Sequence, residues 1–255
     1  EDQPKIVVIE SENSVAETES AVDGEGEVSG DEASSQTESE ELVKAVNSNA
    51  QVRTETVSAD EWVMALTEAV DNAKASNDSN AIVALNIALT EELDDGSIVP
   101  RTELTQSERA ALTYARDNNV LVTLAAGDTA GEAPIINGVA AEFDNVVVVG
   151  AAEPANDATS VWKSYAATDS SATGVSLDLV ADGRNGETVS TSVAASRVAG
   201  AISQVWAANP DLNYTQVVDI LKRTATDLGE WNWDTETGSG LVNVVAAVHL
   251  AKVTK

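Results

Sequence analysis

Four apolar runs punctuate this chain and leave little choice of architecture: KIVVI (5–9), AIVALNIAL (81–89), VLVTLAAG (120–127) and NVVVVGAA (145–152). None alternates polar with apolar residues, so each reads as a strand buried on both faces, the pattern of a parallel sheet. Between and after them the periodicity turns helical. Trp62, Val63, Leu66, Ala69, Val70 and Ala73 form one apolar face over 59–75. Thr105 and Glu108 make a capping box that opens a helix running to about Asn118. Weaker helical spacing covers Glu38–Asn47, and Gln51–Val57 suits a further strand. Three helices are predicted to close the chain, at 191–208, 214–226 and 240–252, with Asn213 and Gln216 capping the second. Strands alternating with helices predict an α/β fold of three α/β/α layers around a mainly parallel sheet. Ligands on such sheets sit at the carboxyl ends of the strands. One domain, 1–255, is expected.

Charge narrows the partners. The chain carries 43 acidic and 14 basic residues, a net charge of −29, which argues against nucleic acid and anionic membrane surfaces as partners. Such a surface suits salty or extracellular water. Glu10–Glu41 holds twelve acidic residues and no basic one, so an exposed acidic loop or insertion is expected at about 10–42. No apolar run approaches the roughly 18–20 residues of a membrane helix, so no membrane insertion is expected. Asp23, Glu25 and Glu27 alternate as in a cation-binding loop, but the ligands that should follow are missing. No cofactor is therefore expected, and Ca2+ is the one ion the composition leaves open. The absence of cysteine excludes disulfides and thiolate metal sites. Residue 1 is Glu and no signal-peptide pattern follows it, so a processed form or an excised segment is expected.

Several fragments carry a family resemblance. STSVAASRVAG (190–200) is similar to a subtilisin-type nucleophile segment, NPDLNYTQVVDILKRTATDLG (209–229) to the helix after it, and GSGLVNVVAAV (238–248) to the opening of the last helix. Upstream, AAGD (125–128) followed by VVVVGA (146–151) looks like the oxyanion strand and its neighbour, and KIVVIE (5–10) falls where the first catalytic strand belongs. In this order, and above all from Gly127 to Ala247, the chain resembles the subtilisin-like serine peptidases. The resemblance implies Ser192 as nucleophile at the start of a helix, whose N–H groups and dipole would face a developing oxyanion. It places Glu10 at the family's first-aspartate position, Asp128 at the oxyanion asparagine and Ala88–Thr90 on the substrate-aligning strand end.

The usual mechanism meets an obstacle. Serine needs a neighbouring base, and the one histidine, His249, falls in the last predicted helix. GEVSGD (26–31) is similar to the Gly-Glu-Val-x-x-Asp of the sedolisins, acid-acting serine-carboxyl peptidases of the same fold. That likeness implies Glu27 as base, Asp31 as its orienter and a protonated Asp128 as oxyanion donor. The expectation drawn from these exchanges is a catalytically inactive subtilisin-like domain, serving as a binding, scaffold or assembly module of an exported or cell-surface protein, with a protein or peptide partner. Two alternatives stay open: an acid-acting serine-carboxyl endopeptidase using Ser192, Glu27, Asp31 and Asp128, and a self-assembling subunit of a surface layer or filament. Trp231 and Trp233, flanking Asn232, read either as packing beneath the final loop or as a small recognition patch.

Overall fold

Residues of each apolar run point alternately to two helical layers, which is why none of the runs alternates in polarity. In the computed structural model, which describes residues 3–11, 32–58, 61–76, 78, 80–93, 96–128, 131–132, 134–154, 162–164, 172–173, 177–228 and 230–255, the elements follow one another as β1 (Lys5–Ser11), α1 (Glu32–Val46), β2 (Gln51–Val57), α2 (Trp62–Ala75) and β3 (Ile82–Asn86). Next come β4 (Thr90–Glu92), β5 (Ile98–Pro100), α3 (Gln106–Asp117), β6 (Leu121–Ala125), β7 (Gly131–Glu132), α4 (Pro134–Glu142) and β8 (Val146–Pro154). The remainder is β9 (Trp162–Ser164), β10 (Ala172–Thr173), β11 (Leu179–Asp182), β12 (Arg184–Asn185), β13 (Thr188–Val189), α5 (Thr191–Ala208), α6 (Tyr214–Thr224) and α7 (Val244–Ala251).

The main sheet has the order β11-β8-β6-β3-β1-β2, all parallel, with β9 antiparallel on β8. Ile9, Val83, Leu85, Val122, Leu124 and Val148 pack toward α2, α3 and α4. Ile6, Val8, Ile82, Ala84, Val147 and Val149 pack toward α5, α6, α7 and Val43 of α1. This is the expected three-layer α/β/α arrangement of the subtilisin-like fold. The capping boxes at Thr105/Glu108 and Asn213/Gln216 both form. Several elements went unforeseen, among them the short α4, the β4/β5 hairpin and the four-residue β11.

The acidic stretch differs from expectation. Glu10 and Ser11 complete β1, and the helix foreseen at 38–47 begins at Glu32, so the loop expected at about 10–42 is strand at one end and helix at the other. Residues 12–31, with Asp23, Glu25, Glu27 and Asp31, lie outside the described residues. Ser34 and Ser35 are weak helix formers, yet they belong to α1 because its carboxyl half is docked on α5. Gly200 makes that docking close: a Cβ there would meet the Val43 carbonyl oxygen and Val46 Cβ, each at 2.9 Å. The Gln204 amide donates to the Val46 carbonyl, and Asn47 Nδ2 donates to Ser203 Oγ at 2.8 Å. The Gln204 bond serves the end of α1, where backbone carbonyls lack helical partners.

Gly200→Ala should therefore force the two helices apart and lower stability by about 1–3 kcal/mol, as overpacking does. A reduced urea midpoint with an unchanged slope would show it.

Candidate active site

The carboxyl ends of β1, β3 and β6 and the amino end of α5 meet at one edge of the sheet. α5 starts there because Ser190 caps it: Ser190 is extended (φ −145°, ψ 152°) and its hydroxyl accepts from the Val193 N–H at 3.3 Å. The capping role thus belongs to Ser190, and Ser192 is the second residue of the helix. Ser192 is half-buried, and among the described residues none hydrogen-bonds its hydroxyl. N–H groups in a first helical turn have no carbonyl partner within the helix. Because Ser190 takes the Val193 N–H, this end of α5 can face negative charge with the Ser192 N–H and its dipole.

Asp128 and Thr191 fasten this helix end to the loop after β6. Asp128 Oδ1 accepts from the Thr191 N–H at 2.7 Å and from the Thr191 hydroxyl at 2.8 Å. The same hydroxyl accepts from the Gly127 N–H at 3.1 Å. Gly127 has φ +100°, a conformation that glycine adopts without steric penalty. Asp128 therefore acts as an acceptor at a helix amino terminus, where a carboxylate is favoured.

Glu10 is buried at the end of β1, and the Ser39 hydroxyl of α1 donates to its Oε1. Asn86 ends β3 beside Glu10 in register, is 1% exposed, and donates from Nδ2 to Ser196 Oγ on α5 at 3.0 Å. Glu27 and Asp31 lie outside the described residues. Ala88–Thr90 leads into the β4/β5 hairpin; the Leu89 carbonyl already accepts from the Arg101 N–H at 3.0 Å, and Thr90 is exposed.

His249 is exposed on α7. Asn209, just past the far end of α5, donates to the Ala251 and Thr254 carbonyls and holds the end of α7 there. The eighteen residues of α5 span about 27 Å at 1.5 Å per residue, so His249 sits at the opposite end of that helix from Ser192. Trp231 does not pack beneath the final loop. It is 91% exposed, while Trp233 donates its indole N–H to the Leu177 carbonyl at 3.1 Å.

Asp182, ending β11 at the same sheet edge, is bracketed by arginines. Arg184 donates to both of its carboxylate oxygens at 2.9–3.0 Å, and Arg197 of α5 donates to its carbonyl. Burial pushes the Asp182 carboxyl up, but the Arg184 hydrogen bonds and the charges of Arg197 and Arg184 outweigh it and hold the carboxyl below its ordinary range. Among the described residues, no group of three or more acidic or histidine side chains could hold a metal ion, and no helix is long and apolar enough to cross a membrane.

The family model of the Subtilase family matches residues 28–240. The chain belongs to the subtilase family. Subtilases are serine-type peptidases, and the relatives of this chain carry peptidase names. Subtilisin BL and Subtilisin Savinase of Lederbergia lenta are each 35% identical over 153 residues, 60% of this chain and 53% of theirs. Alkaline elastase YaB of Bacillus sp. (strain YaB) is 34% identical over 139 residues, 54% of this chain and 35% of its own. The chain thus spans about half or less of the curated relatives it matches. Among solved structures, a lanthipeptide protease superposes with a TM-score of 0.64 at 18% identity, covering 97% of this chain and 87% of its own. Sphericase gives 0.60 at 23%, covering 77% and 69%. At such identities these two speak for the fold alone.

These findings overturn the expectation of a catalytically inactive scaffold, because this subtilase's relatives are peptidases and nothing among its described residues shows inactivity. The serine-carboxyl alternative and the surface-layer subunit find no support either. Sequence reasoning missed Thr191, Asn86, Ser39 and Ser196. A signal existed for Asn86, the one amide within an otherwise apolar run, and for Thr191, placed between two serines ahead of an alanine-rich helix.

Two outcomes follow from this geometry. Thr191→Val removes both hydroxyl bonds of the clamp and should destabilise the fold by about 1–3 kcal/mol, while Thr191→Ser keeps most of that stability; chemical denaturation compares them. The depressed Asp182 carboxyl contributes stability that is present above the unfolded value of about 3.9 and is lost as pH falls through the lower folded value. Asp182→Asn should flatten the acid limb of a melting-temperature profile below about pH 4.

Proposed function

We propose that this subtilase is a serine-type endopeptidase with Ser192 as nucleophile, acting outside the cell on extended peptide segments. The observation that carries the reading is the placement of Ser192: second in a capped helix, with a hydroxyl unengaged among the described residues, on a helix end clamped to the β6 loop. Attack by Ser192 Oγ on a peptide carbonyl would develop negative charge beside the Ser192 N–H and the positive end of the α5 dipole, which stabilise it. An extended substrate would lie across the carboxyl edge of the sheet near Ala88–Thr90. The net charge of −29 and the lack of cysteine suit a protein that works in extracellular water.

No imidazole stands beside Ser192, so turnover is expected to be slow. Oxyanion stabilisation and binding alone retain about 10³–10⁴-fold over the uncatalysed reaction when a triad member is missing in proteases of this mechanism. A fluorophosphonate probe is expected to label Ser192 at neutral to alkaline pH, with slow casein hydrolysis. Both should vanish in Ser192→Ala. A probe that labels nothing, or hydrolysis that survives in Ser192→Ala, overturns the reading.

A further inference from the structure

Serine attack needs somewhere for its proton to go, and the buried polar groups beneath the first turns of α5 mark the place. Along β1, Ile6 and Val8 face α5, so Glu10 continues that face. Along β3, Ile82 and Ala84 do the same, and Asn86 continues them. Glu10 is the register partner of Asn86 on one side and of Thr56 of β2 on the other. Neighbouring strands lie about 4.8 Å apart, so the three side chains form a row at the carboxyl edge. Ser196, which takes the Asn86 hydrogen bond, is four residues beyond Ser192. The two share one face of α5 with Cβ atoms about 6 Å apart. Ser192, Ser196, Asn86 and Glu10 thus follow one another from the amino end of α5 to the end of β1, with Asn86 hydrogen-bonded to Ser196.

Two atoms in the row of Glu10, Asn86 and Thr56 are buried without a hydrogen-bond partner among the described residues: Asn86 Oδ1 and Thr56 Oγ1. Turning the Asn86 amide over would only exchange which of its polar atoms is left unpaired. Buried polar atoms of this kind are ordinarily satisfied by ordered water. Both lie in the row occupied by Glu10, and the Ser39 hydroxyl secures that carboxylate from α1.

We propose that Glu10 is the proton acceptor for Ser192, acting through a water held by the Asn86 amide. The inference rests on the serine-peptidase reading above and names its base. As Ser192 Oγ bonds to the substrate carbonyl carbon, its proton passes to the water, and a proton of that water passes to the Glu10 carboxylate. When the tetrahedral intermediate collapses, the C–N bond breaks and the proton returns through the same water to the leaving amine. In deacylation a second water attacks the acyl carbon, gives its proton to Glu10, and Ser192 recovers a proton as the acid is released. Asn86 is a positioning residue, because it acts through the water.

The test uses casein turnover and fluorophosphonate labelling of the whole chain. Glu10→Gln should lower kcat by on the order of 10²–10⁴ with KM unchanged, the usual contribution of a general base. Glu10→Ala should lose activity in the same way and regain it with formate, in a saturable manner, because formate replaces the missing carboxylate. Asn86→Ala should lower kcat without formate response. Melting curves identify the folded variants, and formate rescue of Glu10→Ala carries the test if Glu10→Gln does not fold. A purely structural Glu10 would alter the melting temperature but show no formate response. A folded Glu10→Gln with wild-type kcat, or a folded Glu10→Ala that formate does not restore, overturns the assignment while leaving Ser192 as nucleophile. Loss of labelling in the wild type would instead sink the underlying peptidase reading.

Discussion

The hydrogen bonds joining Asp128, Thr191 and Gly127 hold the working edge of this molecule together. They connect the loop leaving β6 to the first turn of α5, so a strand buried on both faces and a helix buried along its length share one junction. Everything at the edge takes its position from that junction. Ser192 follows Thr191 directly, and Ser196 lies one helical turn further on. A carboxylate suits the junction because the amino terminus of an α-helix presents unpaired N–H groups and a positive dipole end. Asp128, which the family resemblance placed at the oxyanion position, anchors the first turn of α5 in the fold.

The layers were legible because burial leaves a plain mark on composition. A strand covered on both faces has to be apolar throughout, and the runs around Ile82, Leu121 and Val146 are. The capping boxes were legible for a similar reason, since their hydrogen bonds need particular side chains three positions apart. Other features depend on partners far away in sequence. α1 forms over serines that disfavour helix, because its carboxyl half rests on Gly200, which no local pattern connects to Val43. The role of Asp128 depended on Thr191, sixty-three residues away. Ser39 meeting Glu10 was hidden in a stretch whose charge density pointed to a solvated loop.

Family membership and site chemistry draw on different parts of the chain. The match to the subtilases extends over residues 28–240, and much of what it captures is the layered core and the small-residue helix α5. The proton-transfer chemistry depends on a few side chains at the strand ends. There, this chain has Glu10 bonded to a serine hydroxyl and Asn86 bonded to Ser196. A core can keep its pattern while the polar groups at its rim change, because packing constrains volume and rim chemistry constrains only reach and charge.

Gly200 has a mechanical consequence. It stands eight residues along α5 from Ser192, about 12 Å at helical rise, on a stiff rod whose inner side is almost entirely buried. A rod clamped at its tip and pressed against a neighbour midway behaves as a lever. Any change that thickens the contact with α1 would tilt the axis and swing the serine hydroxyl out of line with a bound carbonyl. Misplacement by about 1 Å can cost on the order of a hundredfold in rate. Alignment of the proposed nucleophile is in that sense set by a hydrogen atom where any other residue would put a carbon, well outside the reach of any substrate.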